Sequence, residues 1–476
     1  MQITRIANHF KVSHTTLLLI IIFAAAAVRA PLVFDDFWLD EIWSLNLASS
    51  IDSLAGVFID IKIDANHILN TAFLHVIGEA NSWVIYRSLS FFCGLISILL
   101  VFKISLVFGE KVALTSAVML AMCFPMVLYS TEARGYSMSI MFSLMAFLSL
   151  QRYLAQGRKL YIVLFWVAVI LAMLSHFSFA YVYAAYLQWS LYAIFMTERT
   201  KLEKTRDFVY LHILPLFVFA YIYYYFILQM GVAGENVSTW HYEIAKFVSL
   251  LLGLPQSVEL IFVFLILLVA AIVWVSYFLY KTQSIYGPFF LLVIIINPVI
   301  VILVADYGYP QMRYFLLLMP FLIISLAVCL VCLSKKIKLG ASIFWVLVSV
   351  YVINSIIFTH SFSVKGRGEY LAAMRYIVDN SGGRIISISS DHDYRNYALV
   401  GFYSKYLPRT HLIKYVFQKG ISENIPEWYI VHDFSRKPSA SDELSLGEDA
   451  NYELANSFLA ANPDVIGWHW HLYKKL

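Results

Sequence analysis

Residues 14–44 read HTTLLLIIIFAAAAVRAPLVFDDFWLDEIWS, about twenty apolar positions followed at once by an acidic, aromatic loop. A helix that crosses a bilayer needs about 20 mostly apolar residues, so the first half of this stretch is a membrane span. It follows Arg5 and Lys11, as a signal peptide would. No small-residue cleavage pattern comes after it, however, and Pro31 to Ser44 continues as loop. The run is therefore read as an uncleaved first span.

The same pattern recurs along the chain. Of the 476 residues, 61% are hydrophobic and only 13% charged, whereas a soluble domain carries roughly a quarter charged. Apolar runs at residues 14–33, 84–108, 112–130, 136–153, 160–174, 178–196, 208–229, 259–280, 287–305, 314–333 and 341–357 predict about eleven spans. Lysine and arginine gather on alternate loops: Arg5 and Lys11, Lys111, Arg158 and Lys159, Arg199 to Arg206, Lys281, and Lys335 to Lys338. Positively charged short loops stay in the cytoplasm. The N-terminus is thus expected inside, and the polar segment 358–476 outside. A net charge of +4 spread over loops argues against a nucleic-acid surface.

Two domains are expected: a transmembrane domain, 1–357, whose first external loop is 34–83, and an extracytoplasmic α/β domain, 358–476. In the latter, Tyr370, Leu371, Met374, Ile377 and Val378 recur at helical spacing. Ser381-Gly382-Gly383 is a turn signal, and Arg384 to Ser389 has strand character. Further strands are predicted at 428–431 and 465–473, and a helix around 394–406. No glycine-rich phosphate loop marks a nucleotide site. The four cysteines, Cys93, Cys123, Cys329 and Cys332, all fall in apolar runs. They offer no disulfide framework, and the Cys329-x-x-Cys332 spacing lacks the exposed, electropositive setting that activates a thiol.

Chemistry concentrates on the outer face. The first external loop holds Asp35, Asp36, Asp40, Glu41, Asp52, Asp60, Asp64 and Glu79 against Lys62 alone. A carboxylate there can take a proton from a hydroxyl, with Trp38 and Trp43 at headgroup level; solvated loop charge is the plainer alternative. Farther along the loop, His67 could orient a substrate, bind a metal or bond within the loop. The second external loop reads Ser130-Thr131-Glu132-Ala133-Arg134-Gly135-Tyr136. An arginine so near the bilayer is costly unless paired, and its planar fork suits a phosphate. A structural ion pair, with Glu132 or between helices, remains the alternative. Arg313, before Tyr314, and Arg87 repeat the pattern, as phosphate ligands or as helix-end charges that are paired or reach the headgroups. Cations and carboxylates on one face suit an anionic lipid headgroup.

The Asp40-Glu41 pair, the segment Asn66-His67-Ile68-Leu69, the Glu132-Ala133-Arg134-Gly135-Tyr136 motif and Arg313-Tyr314 resemble the membrane-integral C-type glycosyltransferases. The nearest branch is that of protein O-mannosyltransferases and the bacterial aminoarabinose transferase. One departure is His67-Ile68-Leu69-Asn70, where that family often has His-Pro-Pro-Leu. The resemblance implies a GT-C-like helical fold and an inverting transfer of sugar from a polyprenyl-phosphate donor to a glycan, lipid or protein acceptor. It implies Asp40 as general base, Glu41 as its support or acceptor-positioning group, and Arg134 with Arg313 on the departing phosphate. His67, Arg87, Glu132, Tyr136 and Tyr314 are further substrate-binding candidates. A divalent metal is used by some members; no ligand set is visible here, and the metal is left unassigned. Compact loops point to a bacterial inner membrane, with membrane lipids as neighbours.

Two other classes fit the topology. A transporter or flippase for an anionic lipid would use the same arginines, but would show inverted repeats and interrupted helices; no internal repeat is evident. A membrane scaffold leaves Asp40, Glu41 and Arg134 without a purpose.

Overall fold

The computed structural model describes residues 13–63, 65–231, 239–253, 258–283, 285–304, 311–408, 411–435, 438–447, 450–461 and 467–476. Arg5, Lys11, Asp64, Tyr309, Pro310 and the start of the strand predicted at 465–473 lie outside them. The chain divides into two compact units: residues up to 33 with 51–357, and residues 34–50 with 358–476. The seventeen-residue segment that opens the acidic loop thus clusters with the tail.

The described residues of the first unit are mainly helical. Every predicted apolar run carries helix, and eight helices among the described residues are long and apolar enough to cross a membrane. The protein is a polytopic α-helical membrane protein. Helices Lys159–Ser175 and Phe179–Phe195 are shorter, at 17 residues each. The run at 112–130 is two helices, Glu110–Met122 and Phe124–Tyr129. The break falls at Cys123, whose ψ of 112° leaves the helical region, with Pro125 in the first turn of the next helix, where its missing N–H costs nothing. Irregular backbone at membrane depth needs partners inside the protein. Here Arg29 supplies one, donating from Nη1 to the Ala121 carbonyl at 2.8 Å.

Small residues bring the helices together. A methyl group on Gly94 would lie 2.4 Å from the Ser130 Cβ. Beside it, Ser137 Oγ donates to the Ser90 carbonyl at 2.8 Å, and Ser90 Oγ to the Arg134 carbonyl at 3.0 Å. These bonds tie helix Val84–Ser105 to the second external loop and the start of helix Tyr136–Gln156.

The second unit is a small α/β domain. Its strands are β1 (Ile385–Ser390), β2 (Leu412–Tyr415), β3 (Trp428–Asp433), β4 (Glu443–Ser445), β5 (Asn451–Phe458) and β6 (His469–Lys475). They form one sheet in the order β2-β1-β3-β6-β5-β4. The first three are parallel and the last three pairings antiparallel. Alternation along β1 and β3 buries Ile386, Ile388, Trp428 and Ile430. Helices Tyr370–Asp379 and Asp393–Tyr403 bury Met374, Ile377, Leu399 and Tyr403. A separate cluster of Tyr429, Ala450, Tyr452 and Tyr473 forms a second core. The sequence reading found β1, β3, β6 and both helices but not β2, β4 and β5, which are short or half-exposed.

Residues 34–50 join this unit through packing. Phe37 stacks on Phe402 at 5.3 Å between ring centroids, and Trp43 on Tyr394 at 4.9 Å, pairs worth about 0.5–1.5 kcal/mol each beyond burial. Tyr403 donates to the Phe37 carbonyl at 2.7 Å. Asp36 Oδ2 accepts the Leu371 N–H at 2.8 Å, so it caps helix Tyr370–Asp379 from outside it. A carboxylate there meets an orphan donor and the positive end of the helix dipole. Asp35 lies against Gly366, whose φ is +58°, and a methyl group there would come within 2.1 Å of Asp35 Oδ2.

Candidate active site

In the first unit the structure gathers residues from four separate chain segments. His67 precedes helix Ile68–Ile77. Its Nδ1 accepts the Gly135 N–H at 2.7 Å, which leaves the proton of the neutral ring on Nε2. His176, between helices Lys159–Ser175 and Phe179–Phe195, accepts the Ser178 N–H on Nδ1 at 3.1 Å, with the same consequence. The two imidazoles stand 4.6 Å apart, and the Tyr136 ring lies 5.1 Å from His67 and 4.6 Å from His176. Tyr314 follows at 6.5 Å from His176, with the Arg313 guanidinium 6.0 Å from the Tyr314 ring.

The motif glycine is required by this assembly rather than by a turn. Gly135 has an ordinary helical φ of −72°. A methyl group on it would fall 2.1 Å from the Ser175 carbonyl and 2.8 Å from the His67 Cβ. Two chain segments therefore approach its Cα directly, and one of them carries His67. Asn70 Nδ2 adds a bond to the Ala133 carbonyl at 2.8 Å, locking helix Ile68–Ile77 to the motif.

Arg134 and Arg313 act on both histidines. Burial, then Arg134, His176 and Arg313, holds the His67 imidazole well below its ordinary range. Burial, then Arg134 and Arg313, lowers His176 to about 3. Both rings are neutral at pH 7, so each offers an Nε2–H donor without adding charge. Arg134, Glu132 and Tyr136 are buried, and Arg313 and Tyr314 are half-buried. The result is two guanidinium cations and two imidazole donors among aromatic walls, an arrangement that can stabilise an anion in a dry setting.

Arg87 has a different environment. Its Nη1 donates to the Leu32 and Val33 carbonyls at 3.1 and 3.0 Å, the open carbonyls at the end of the first span. That is the helix-end pairing which the sequence left open beside phosphate binding.

Asp40 and Glu41 belong to the second unit, in the first turn of helix Leu39–Ser49. Glu41 is fully buried and reaches back to accept the Trp38 N–H at 3.3 Å, the carboxylate half of a capping box. Asp40 is half-buried, and successive helical residues project about 100° apart, so the two carboxylates face different surroundings. Asp40 acts electrostatically on Arg395, which burial lowers to about 10 while Tyr370 and Asp40 pull it back up. Arg395 itself lies over the Trp468 ring at 3.6 Å, and Arg367 over the Trp38 ring at 3.8 Å.

Sequence reasoning missed His176, Arg29 and Arg395. The first two carried a usable signal: an ionisable residue at membrane depth is a functional candidate by default, the rule that picked out Arg134. Arg29 is almost completely buried in the first span and donates from Nε to Ser130 Oγ at 2.8 Å, steadying the second external loop. Nothing in the sequence placed Arg395 beside Asp40, because 355 positions separate them. Among the described residues no three His, Cys, Asp or Glu side chains come together as a cation site.

Helical architecture, sheet-bearing tail and buried cation–imidazole cluster together define a membrane-integral protein of the C-type glycosyltransferase fold. Residues 67–225 match the family model of the dolichyl-phosphate-mannose-protein mannosyltransferases; that third of the chain includes His67, Arg87, Glu132, Arg134, Tyr136 and His176. Comparison with curated proteins gives no match. Among solved structures the chain is similar to ArnT from Cupriavidus metallidurans. In the apo state of that protein the TM-score is 0.51 at 12% identity, covering 88% of this chain and 93% of that one. In its complex with undecaprenyl phosphate the TM-score is 0.52 at 10% identity, covering 98% and 99%. The resemblance read from the sequence is thus carried by a family match and a shared fold.

Proposed function

We propose that the protein is a glycosyltransferase that moves a sugar, with inversion, from a polyprenyl-phosphate carrier to an acceptor on the extracytoplasmic side of a bacterial inner membrane. The observation that carries this reading is the assembly of buried Arg134, His67 and His176 with half-buried Arg313, which suits a phosphate. The family match over 67–225 and the likeness to a fold solved with undecaprenyl phosphate support it.

In this reading an acceptor hydroxyl attacks the anomeric carbon while the bond to the phosphate oxygen breaks. The leaving phosphate keeps the electron pair and needs neutralising charge more than a proton. Arg134 and Arg313 supply that charge, and the imidazole Nε2–H groups add donors that cost no further cation in a buried site. Asp40 takes the acceptor proton, a task for which a half-buried carboxylate suffices. Glu41 shapes the helix that carries Asp40.

The test is release of polyprenyl phosphate by the purified protein in detergent, from a panel of polyprenyl-phosphate sugars, comparing wild type with Asp40→Asn. The expected result is release that the substitution lowers by about 10²–10⁴-fold while donor binding persists. Binding without turnover under every acceptor condition, unaltered by the substitution, would move the reading to a transporter or flippase of the same anionic lipid.

A further inference from the structure

The second unit contains a cavity of about 570 Å³, within the roughly 300–1,000 Å³ usual for small-molecule sites. It opens beside Asp391, the first residue after β1, and open α/β sheets receive ligands beyond the carboxyl ends of their parallel strands. Its polar lining includes Asp391, Gln418 and Tyr429, with Ser422 at the rim; its apolar lining includes Ile421, Ile425 and Leu446.

Each polar group is held in place with capacity left over. Asp391 accepts the His432 N–H at 3.2 and 3.1 Å on its two oxygens, and His432 Nδ1 lies 2.7 Å from Oδ1. A carboxylate has about four lone-pair positions, so acceptor capacity remains. Gln418 donates from Nε2 to the Ser390 carbonyl at 3.0 Å and from its backbone N–H to Asp393 Oδ2 at 3.0 Å. The first bond orients the side-chain amide, whose oxygen can accept, and the second holds the backbone that carries it. Burial, then Asp391, Asp393 and Tyr452, pushes the Tyr429 phenol up to about 12, which keeps it a donor at physiological pH.

The chemistry of the lining selects its ligand. Among the described residues no lysine or arginine lines the cavity, and Asp391 would repel a phosphate or carboxylate. A fixed carboxylate and an amide oxygen match several hydroxyl donors, and the aliphatic side chains match the C–H face of a pyranose. We infer that this cavity binds a sugar residue, neutral or amino-bearing, of a glycan acceptor. The inference rests on the proposed glycosyltransferase reading for the word acceptor, and on the cavity alone for the word sugar.

The experiment is saturation-transfer NMR on the full chain in detergent micelles. The probes are methyl α-glucoside, N-acetylglucosamine, glucosamine, glucose 1-phosphate and a short serine–glycine peptide. Ser422 is exposed at the cavity rim, so Ser422→Trp should fill the space without disturbing the core, which an unchanged thermal melt would verify. The expected result is transfer to the uncharged or amino sugars, weak transfer to glucose 1-phosphate, loss of signal in Ser422→Trp, and about tenfold weaker binding in Asp391→Asn. Sugar signals that survive Ser422→Trp, an absence of sugar signals, or transfer to the peptide alone would each overturn the inference. Donor turnover measured on the same preparations separates the two claims. Sugar binding in the cavity without turnover counts against the transferase alone, and turnover without sugar binding counts against the cavity alone.

Discussion

Gly135 has no room for a methyl group, with the Ser175 carbonyl at 2.1 Å from the position a Cβ would take. Gly135→Ala is expected to cost about 1–3 kcal/mol through overpacking and to lower the melting temperature in detergent. It should also weaken donor binding, because the displaced neighbour is His67. At Arg134 the expectation concerns chemistry. Removing a charge-assisted hydrogen bond costs about 1.5–3 kcal/mol, so Arg134→Ala should lower kcat/KM for the polyprenyl-phosphate donor by about 10–100-fold. Arg134→Lys restores the charge without the planar fork and should recover only part of that loss; full recovery would show that the fork is irrelevant. His67 and His176 add a pH dependence. Folded, His176 titrates at about 3, against an ordinary value of 6.5, so below 6.5 the unfolded chain binds more protons than the folded one. Stability is therefore complete above pH 6.5 and falls as pH drops toward 3. Thermal melts across that window should show the decline, and His176→Asn should flatten it; an unchanged slope would mean that His176 is not held neutral.

Helix Leu39–Ser49 separates two roles that the sequence set side by side. Glu41 accepts the Trp38 N–H, so Glu41→Ala should remove about 0.5–2 kcal/mol as a lost cap, visible as a lower melting temperature. Asp40→Asn leaves the cap intact and should leave the melt alone while removing turnover. If both substitutions lower stability equally and spare turnover, the catalytic assignment of Asp40 fails. The contrast also marks where sequence reading stops. The apolar runs were legible because twenty consecutive apolar residues have few soluble uses, and helices Tyr370–Asp379 and Asp393–Tyr403 because their burial is periodic. Strand β2, Leu412–Tyr415, has no residue that is fully buried, and β4 spans three residues, so neither left a pattern to read. The second external loop stood out through its charge, whereas His176, whose ring lies 4.6 Å from that of Tyr136, sits between two apolar runs. Its role emerges only when the rings of His67, Tyr136 and His176 are assembled.

At the scale of the whole molecule, the charge on alternate loops predicts a topology that can be tested directly. Arg158 and Lys159 share a loop with no carboxylate, whereas the acidic loop and the tail fall on the other side of the count. If positive loops stay inside, the tail is extracytoplasmic, which the proposed chemistry requires, since Asp40 and the tail belong to one compact unit. The native cysteines suit a labelling experiment: Cys93 is buried and Cys329 and Cys332 half-buried within apolar helices, and Cys123 is buried at the break between two helices. Lys405 is exposed in the tail and Arg158 exposed in the opposite loop. In intact cells a membrane-impermeant maleimide should label Lys405→Cys and not Arg158→Cys, and opening the membrane should make Arg158→Cys reactive. The reverse pattern would put Asp40 in the cytoplasm. A sugar donor could then be met only on that side, and the extracytoplasmic reaction would have to be abandoned even if sugar transfer itself were measured.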